Sequence, residues 1–303
     1  MSFQNVAIIG LGLLGGSTGL AVADNLPAIA TTGYDEAPDV RIRAHERGLV
    51  DKVCDSAAQA VANADLVILC VPVGAMEGAA REIAGSLKPG AVISDVGSSK
   101  RSILETLTNA LPDHTVIPAH PVAGTEFSGP DAGFATLFHQ RWCILTPPPD
   151  ADPGAVAELE EFWAALGARV DRMDAAHHDR VLAVTSHIPH LIAYTIVGTA
   201  SDLENVTRSE VIKYSAGGFR DFTRIAASDP TMWRDVFLNN GEAVLEMLDR
   251  FLTDLALMRE AIRAGDGETM FDLFRRTREV RRSIIELGQD DARPDFGRKD
   301  RQD

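Results

Sequence analysis

Residues 5–15 constrain this chain more than any others. Asn5-Val6-Ala7-Ile8-Ile9-Gly10 is an apolar run of strand length, and Gly10-Leu11-Gly12-Leu13-Leu14-Gly15 follows without a gap. An unbroken apolar strand is the pattern of a parallel strand buried on both faces. The three glycines suit a tight turn, a close backbone approach to a pyrophosphate, and close packing of helix on strand, with the phosphates at the helix N-terminus. The helical pattern runs to Ala23, and a second strand, Thr31-Thr32-Gly33-Tyr34-Asp35, ends on an acid 20 residues beyond Gly15. A carboxylate there accepts from the adenosine ribose hydroxyls and repels a 2′-phosphate, which favours NAD over NADP. Arg41 and Arg43 are the residues whose reach to a phosphate would reverse that preference.

Apolar strand patterns recur at Ala64–Pro72, Ala91–Gly97 and Thr115–Pro118, each separated by a helical pattern. This alternation predicts an α/β, doubly wound Rossmann-type domain over residues 1–173, closed by strands at Trp142–Thr146 and Ala168–Met173 around a helix from about Pro153 to Leu166. Ligands in such sheets lie outside the carboxyl ends of the strands. Three loops start there: Val71-Pro72-Val73, Gly97-Ser98-Ser99-Lys100, and the stretch Pro118 to Pro130 that carries His120. Its prolines and glycines describe a rigid loop presenting His120, Thr125 and Glu126.

From Asp174, a plausible N-cap, the periodicity is helical, and an all-α domain is expected over 174–287. Pro189 is expected to kink the first long helix within His187-Ile188-Pro189-His190. A glycine-led loop, Gly217-Gly218-Phe219-Arg220-Asp221-Phe222-Thr223-Arg224, precedes Asp229-Pro230, an N-cap with Pro at the first helical position. Leu245, Leu248, Phe251, Leu252, Leu255 and Met258 give the next helix an apolar stripe. These helices carry more apolar face than one chain can bury, which implies a homodimer through this half. Residues 288–303 read as a disordered tail.

Charge and cysteine usage narrow the setting. A net charge of −15 over 303 residues argues against nucleic acid or an anionic membrane as partner. Cys54, Cys70 and Cys143 are far apart and read as buried thiols in a reducing compartment, the cytoplasm, with no disulfide and no metal site. No apolar run is expected to reach the length of a membrane span.

A nicotinamide needs a substrate C–H bond facing it and a group to take the hydroxyl proton. Histidine, with an ordinary pKa of about 6.5, suits that role, so His120 is the candidate base. A loop histidine bonded to a backbone carbonyl is the alternative. Ser98 is placed either to share a hydrogen bond with the substrate or to cap the helix near Lys100. Arg220 and Arg224 are candidates to clamp a carboxylate.

Taken together, Gly10–Ser17, Val96-Gly97-Ser98-Ser99-Lys100, His120-Pro121-Val122-Ala123-Gly124-Thr125-Glu126, Ser186–His190, Gly217–Arg224 and Ser228-Asp229-Pro230-Thr231-Met232-Trp233-Arg234 resemble the prephenate/arogenate (cyclohexadienyl) dehydrogenase family. The resemblance runs in order from residue 10 to residue 234. It implies NAD-dependent oxidative decarboxylation of prephenate or arogenate in tyrosine biosynthesis. By position it implies that His120 takes the ring hydroxyl proton, that Ser98 orients that hydroxyl and the nicotinamide, and that Arg224 binds a carboxylate. Thr125, Glu126, His187, Gly217 and Trp233 fall around the substrate, some from a partner subunit. Gly10, Leu11, Gly12, Leu13, Leu14, Gly15, Asp35, Val71 and Pro72 fall on the cofactor side. No room is expected for a fused mutase or a C-terminal sensing domain.

Two other readings are open at this point. A β-hydroxyacid-type dehydrogenase needs a catalytic lysine in a glycine-rich helix, and none of Lys52, Lys88, Lys100, Lys213 and Lys299 has that setting. An NAD-sensing module accounts for the first hundred residues and leaves the His120 and Arg224 segments unexplained.

Overall fold

The computed structural model describes residues 1–125, 127–202 and 217–286. Glu126 and the expected tail 288–303 lie outside the described residues. The chain divides into two compact units, Met1–Met247 and Leu248–Asp303.

The first unit opens with β1 (Asn5–Ile9), α1 (Leu13–Asn25), β2 (Ala30–Tyr34), α2 (Pro38–Glu46), β3 (Lys52–Val53), α3 (Ala57–Val61), β4 (Leu66–Leu69), α4 (Met76–Ile83), β5 (Val92–Asp95), α5 (Arg101–Ala110) and β6 (Thr115–Val116). The strands form one parallel sheet in the order β3-β2-β1-β4-β5-β6. Because side chains alternate along a strand, β1 and β4 feed two cores at once. Val6, Ile8, Leu66 and Ile68 pack on one face, and Ala7, Ile9, Val67 and Leu69 on the other. Helices cover both faces, hence the unbroken apolar runs. The order reverses between β1 and β4, placing the ligand crevice beside Gly10 and Val71.

Beyond β6 the chain departs from the expected loop. β7 (Ala119–Pro121), β8 (Trp142–Leu145) and β9 (Arg169–Arg172) make a separate three-stranded sheet, with β7 antiparallel and β9 parallel to β8. His120 therefore sits in a strand, opposite Ile144, and not in a loop. Pro121 is tolerated because β7 is an edge strand. Between β8 and β9 runs α6 (Pro153–Ala165), capped by Asp152, which accepts from Ala155 N at 2.9 Å.

Asp174 caps α7 (Ala175–Leu182), accepting from Ala176 N and His177 N at 2.9 and 3.0 Å. A π-turn over Ala183–His187 leads into α8 (Ile188–Asp202). Pro189 lies within one continuous helical run, Ala175–Asp202, directly after this widened turn, an irregularity of the kind that accommodates a missing backbone N–H. The run Ala175–Asp202, with mean hydropathy reaching 1.4, is long and apolar enough to cross a membrane by length and composition. That corrects the expectation that no run approaches such a length. His187, Pro189 and His190 interrupt the apolar residues without adding formal charge, and the buried stripe of α7 consists of Ala175, His178, Asp179 and Leu182.

Gly217 to Thr223 form a short helix, α9, where a loop was expected, followed by a 3-10 turn at Arg224–Ala227. α10 (Pro230–Asn239) begins as expected, Asp229 accepting from Thr231 N and Met232 N at 2.8 and 3.0 Å. It docks on the turn after β4 so closely that a Cβ on Gly74 would stand 2.5 Å from Asp235 Oδ2. α11 (Gly241–Ala264) crosses the division between the units, and α12 (Gly267–Glu286) belongs to the second. In the second unit Leu252, Leu255, Leu257, Ile262, Phe271, Phe274 and Val280 are exposed.

Candidate active site

The glycine loop is shaped for a dinucleotide by contacts already present. Gly10 has φ +96°, and a Cβ on Gly15 would lie 1.8 Å from Gly10 O, so neither position admits a side chain. A Cβ on Gly12, the N-cap of α1, would meet nothing within 4 Å, leaving open space against the helix N-terminus. Asp35 Oδ2 accepts from Leu11 N at 2.9 Å and Oδ1 from Ala37 N at 3.0 Å, which ties the acid to the loop. Arg43 is engaged by Asp131 and Glu46, and Arg41 donates to the carbonyls of Asp35 and Glu36. The residues present therefore fit NAD, held by residues 10–15 and Asp35. Val71 lies half-buried and Pro72 exposed where β4 ends.

His120 is buried, and its Nδ1 lies 2.8 Å from His178 Nε2. His178 Nδ1 in turn lies 2.9 Å from Asp179 Oδ1. The same carboxylate accepts from Lys100 N at 2.7 Å and Arg101 N at 3.0 Å, capping α5. Ser98 is thus not that cap, and it lies half-buried just before it. Beneath His120, the fully buried Lys100 pairs with the fully buried Asp95 and donates to Ala119 O at 2.7 Å. Asp95 also accepts from Gly97 N at 2.7 Å and Ala119 N at 3.3 Å. One ion pair therefore fixes the backbone on both sides of the crevice, at Gly97 before Ser98 and at Ala119 before His120.

Burial holds the His120 pKa well below its ordinary value, assisted by His178, Lys100 and His187. His178 is lowered by burial, with Asp179 opposing. Burial pulls His187 from 6.5 to about 4 against the pull of Asp179. These histidines are neutral at neutral pH, the state a proton acceptor requires.

The helical elements bring a second group together. His190 stacks on Trp233 with ring centroids 3.6 Å apart, and His187 meets the same indole edge-on at 6.0 Å. Arg224, exposed, lies near enough to His190 to help depress its pKa, after burial. Asn240 Nδ2 donates to Asp179 O at 2.9 Å and faces His187 Nδ1 at 3.1 Å. Since a carbonyl only accepts, the amide group is fixed toward it, and His187 Nδ1 accepts as well. Gly217 stands exposed at the start of α9. Thr125 is on an exposed segment, where its Oγ1 accepts from Phe127 N at 3.2 Å, and none of the described hydrogen bonds joins it to His120.

A family model described as "Prephenate dehydrogenase, nucleotide-binding domain" matches residues 18–172, and one described as "Prephenate dehydrogenase, dimerization domain" matches residues 174–276. The chain belongs to the prephenate dehydrogenase family. It is 45% identical to a cyclohexadienyl dehydrogenase of Zymomonas mobilis over 93% of this chain and 96% of that protein. With a prephenate dehydrogenase of Bacillus subtilis it shares 33% identity over 97% of this chain and 79% of that one. The crystal structure of prephenate dehydrogenase from Aquifex aeolicus in complex with hydroxyphenyl propionate and NAD+ superimposes with a TM-score of 0.87. It is 32% identical and covers 94% of this chain and 99% of that chain. As a prephenate dehydrogenase family member the chain is an NAD-dependent oxidoreductase, with a nucleotide-binding α/β domain followed by a helical dimerization domain.

Sequence reasoning missed five of the residues that organise this prephenate dehydrogenase family site. His178 and Asp179 occupy two positions of the buried i, i+3, i+4, i+7 stripe of α7, where polar side chains are costly unless paired. That stripe was the available signal. Asp95 and Lys100 flank the Ser98 turn five residues apart, and Asn240 carried no pattern.

Proposed function

We propose that this chain oxidatively decarboxylates prephenate, arogenate or both, in the cytoplasm, as a step of tyrosine biosynthesis. The observation that carries the reading is His120, a buried neutral imidazole bonded through Nδ1 to His178, which leaves Nε2 to accept a proton. The name of the Zymomonas mobilis relative refers to a ring class rather than to one side chain, which supports acceptance of both substrates.

Bound NAD supplies the hydride acceptor. His120 Nε2 takes the proton of the ring hydroxyl as the C–H bond at the same carbon breaks. The carbonyl so formed is conjugated with the carbon bearing the carboxylate, so that carbon dioxide leaves and the ring becomes aromatic. Ser98 orients the hydroxyl, and Arg224 clamps a substrate carboxylate, with His187, Trp233, Thr125, Glu126 and Gly217 around it. The protein's contribution is proximity and electrostatics rather than covalent catalysis. Residues 10–15, Asp35, Val71 and Pro72 hold the cofactor. The functional division falls between residues 1–173 and 174–287, and the helical half forms a homodimer, as its exposed leucines and phenylalanines support.

Purified protein incubated with prephenate or arogenate, and with NAD or NADP, tests this directly. Reduction of NAD coupled to carbon dioxide release is expected. Failure with both substrates under conditions where the protein is folded would refute it.

A further inference from the structure

We propose that His178 and Asp179 are positioning residues that fix the tautomer of His120, so that His120 Nε2 presents a lone pair to the substrate hydroxyl. The inference rests on the reading of His120 as the base. It follows from the only proton arrangement that satisfies the cluster.

Asp179 accepts from Lys100 N, Arg101 N and His178 Nδ1, at 2.7, 3.0 and 2.9 Å. A carboxylate receiving two backbone N–H groups at the start of a helix is held as an anion. It demands a hydrogen on His178 Nδ1, because a bare nitrogen at 2.9 Å would set lone pair against lone pair. Neutral His178 then has a lone pair at Nε2, and His120 Nδ1, 2.8 Å away, must carry the hydrogen between them. His120 Nε2 is left without one.

The surroundings keep the cluster neutral before reaction. His178 is fully buried, and the Lys100 ammonium, itself paired with Asp95, faces both imidazoles. His187 adds no acceptor-to-donor conflict, because its Nδ1 is already engaged by Asn240. During turnover the substrate proton binds His120 Nε2. The Nδ1 hydrogen can shift to His178 Nε2, placing the positive charge beside Asp179. No group is oxidised or reduced in this transfer.

Histidine-selective 15N NMR of the free protein reads the tautomer without any substrate. In the wild type, His120 is expected protonated at Nδ1 and bare at Nε2. Asp179→Leu removes the Oδ1 that accepts from His178 Nδ1, so that neither ring is held to one tautomer. A share of His120 then carries its hydrogen at Nε2, and kcat is expected to fall about 10-fold or more with little change in KM. Because Asp179 also caps α5, a second pair leaves that cap intact. His178→Gln retains an acceptor for His120 Nδ1–H and is expected to keep kcat within about 10-fold, whereas His178→Leu loses about 100-fold or more. A wild-type His120 protonated at Nε2 would overturn the proposal, and so would a His178→Leu variant with wild-type kcat and pH profile. A correct tautomer in a protein that turns over neither prephenate nor arogenate would instead refute the proposed function.

Discussion

His187 gives the chain a calculable sensitivity to acid. It is fully buried in the π-turn, and its pKa falls from 6.5 in the unfolded chain to about 4 in the fold. Burial is the main cause, and His178 and His190 add to it, while Asp179 and the Ser98 backbone oppose it. Between these two values the unfolded state binds the proton and the folded state does not, so stability is complete above the unfolded pKa and drains as pH falls. At about 1.4 kcal/mol per pH unit the full loss is about 3 kcal/mol, reached near the folded value. By about pH 5.5, still above the sequence pI of 4.9, about 1 kcal/mol has gone. Replacing His187 by Gln removes this titration. His120, His178 and His190 titrate in the same sense, so the quantity to compare is the change in unfolding free energy between about pH 7.5 and about pH 5.5, from urea transitions of both proteins. The variant is expected to lose about 1 kcal/mol less than the wild type over that interval. Equal losses would mean that His187 is not held neutral by burial, and the argument above would fail.

Three further outcomes follow from the site. His120→Asn is expected to lower kcat by about 10²–10⁴-fold with KM nearly unchanged, measured by steady-state kinetics. Arg224→Ala is expected chiefly to raise KM for prephenate, consistent with lost ground-state binding, and a fall in kcat alone would reassign its role. Lys100→Met leaves the Asp95 carboxylate buried without its cation and removes the hydrogen bond to Ala119 O, at an expected cost of about 3–5 kcal/mol in urea unfolding. Adding Asp95→Asn to that variant is expected to restore part of the loss, because no uncompensated charge remains.

The parts of the fold that were legible in the sequence are those where one physical requirement fixes the residue type. Gly10 and Gly15 stand where a Cβ would strike backbone, and the acid Asp35 follows directly on Tyr34, the last residue of its strand. Asp174 and Asp229 cap their helices as their positions implied. His120 stood out in the sequence as the candidate base, but its strand did not. Three prolines between residues 118 and 130 mask a three-residue edge strand, whose pairing with Cys143–Leu145 is a long-range fact. The Gly217–Thr223 helix was hidden for a related reason, two glycines outweighing five helix-compatible residues in a local reading. His178, Asp179, Lys100 and Asp95 were not legible because each is ordinary by itself. Only their burial together makes them costly and hence informative.

The carboxylate of Asp179 also bears on how such enzymes can be recombined. It arises from the first helix after residue 173, yet it terminates a helix that begins at Arg101 and orients a ring in the strand Ala119–Pro121. A chimera joined at residue 173 would inherit the cap from one parent and the capped helix from the other. Exchange of cofactor halves between relatives is therefore permitted where both parents place an acid against those two amides. Elsewhere the junction removes the acid that bonds His178, and with it the proposed constraint on the His120 tautomer.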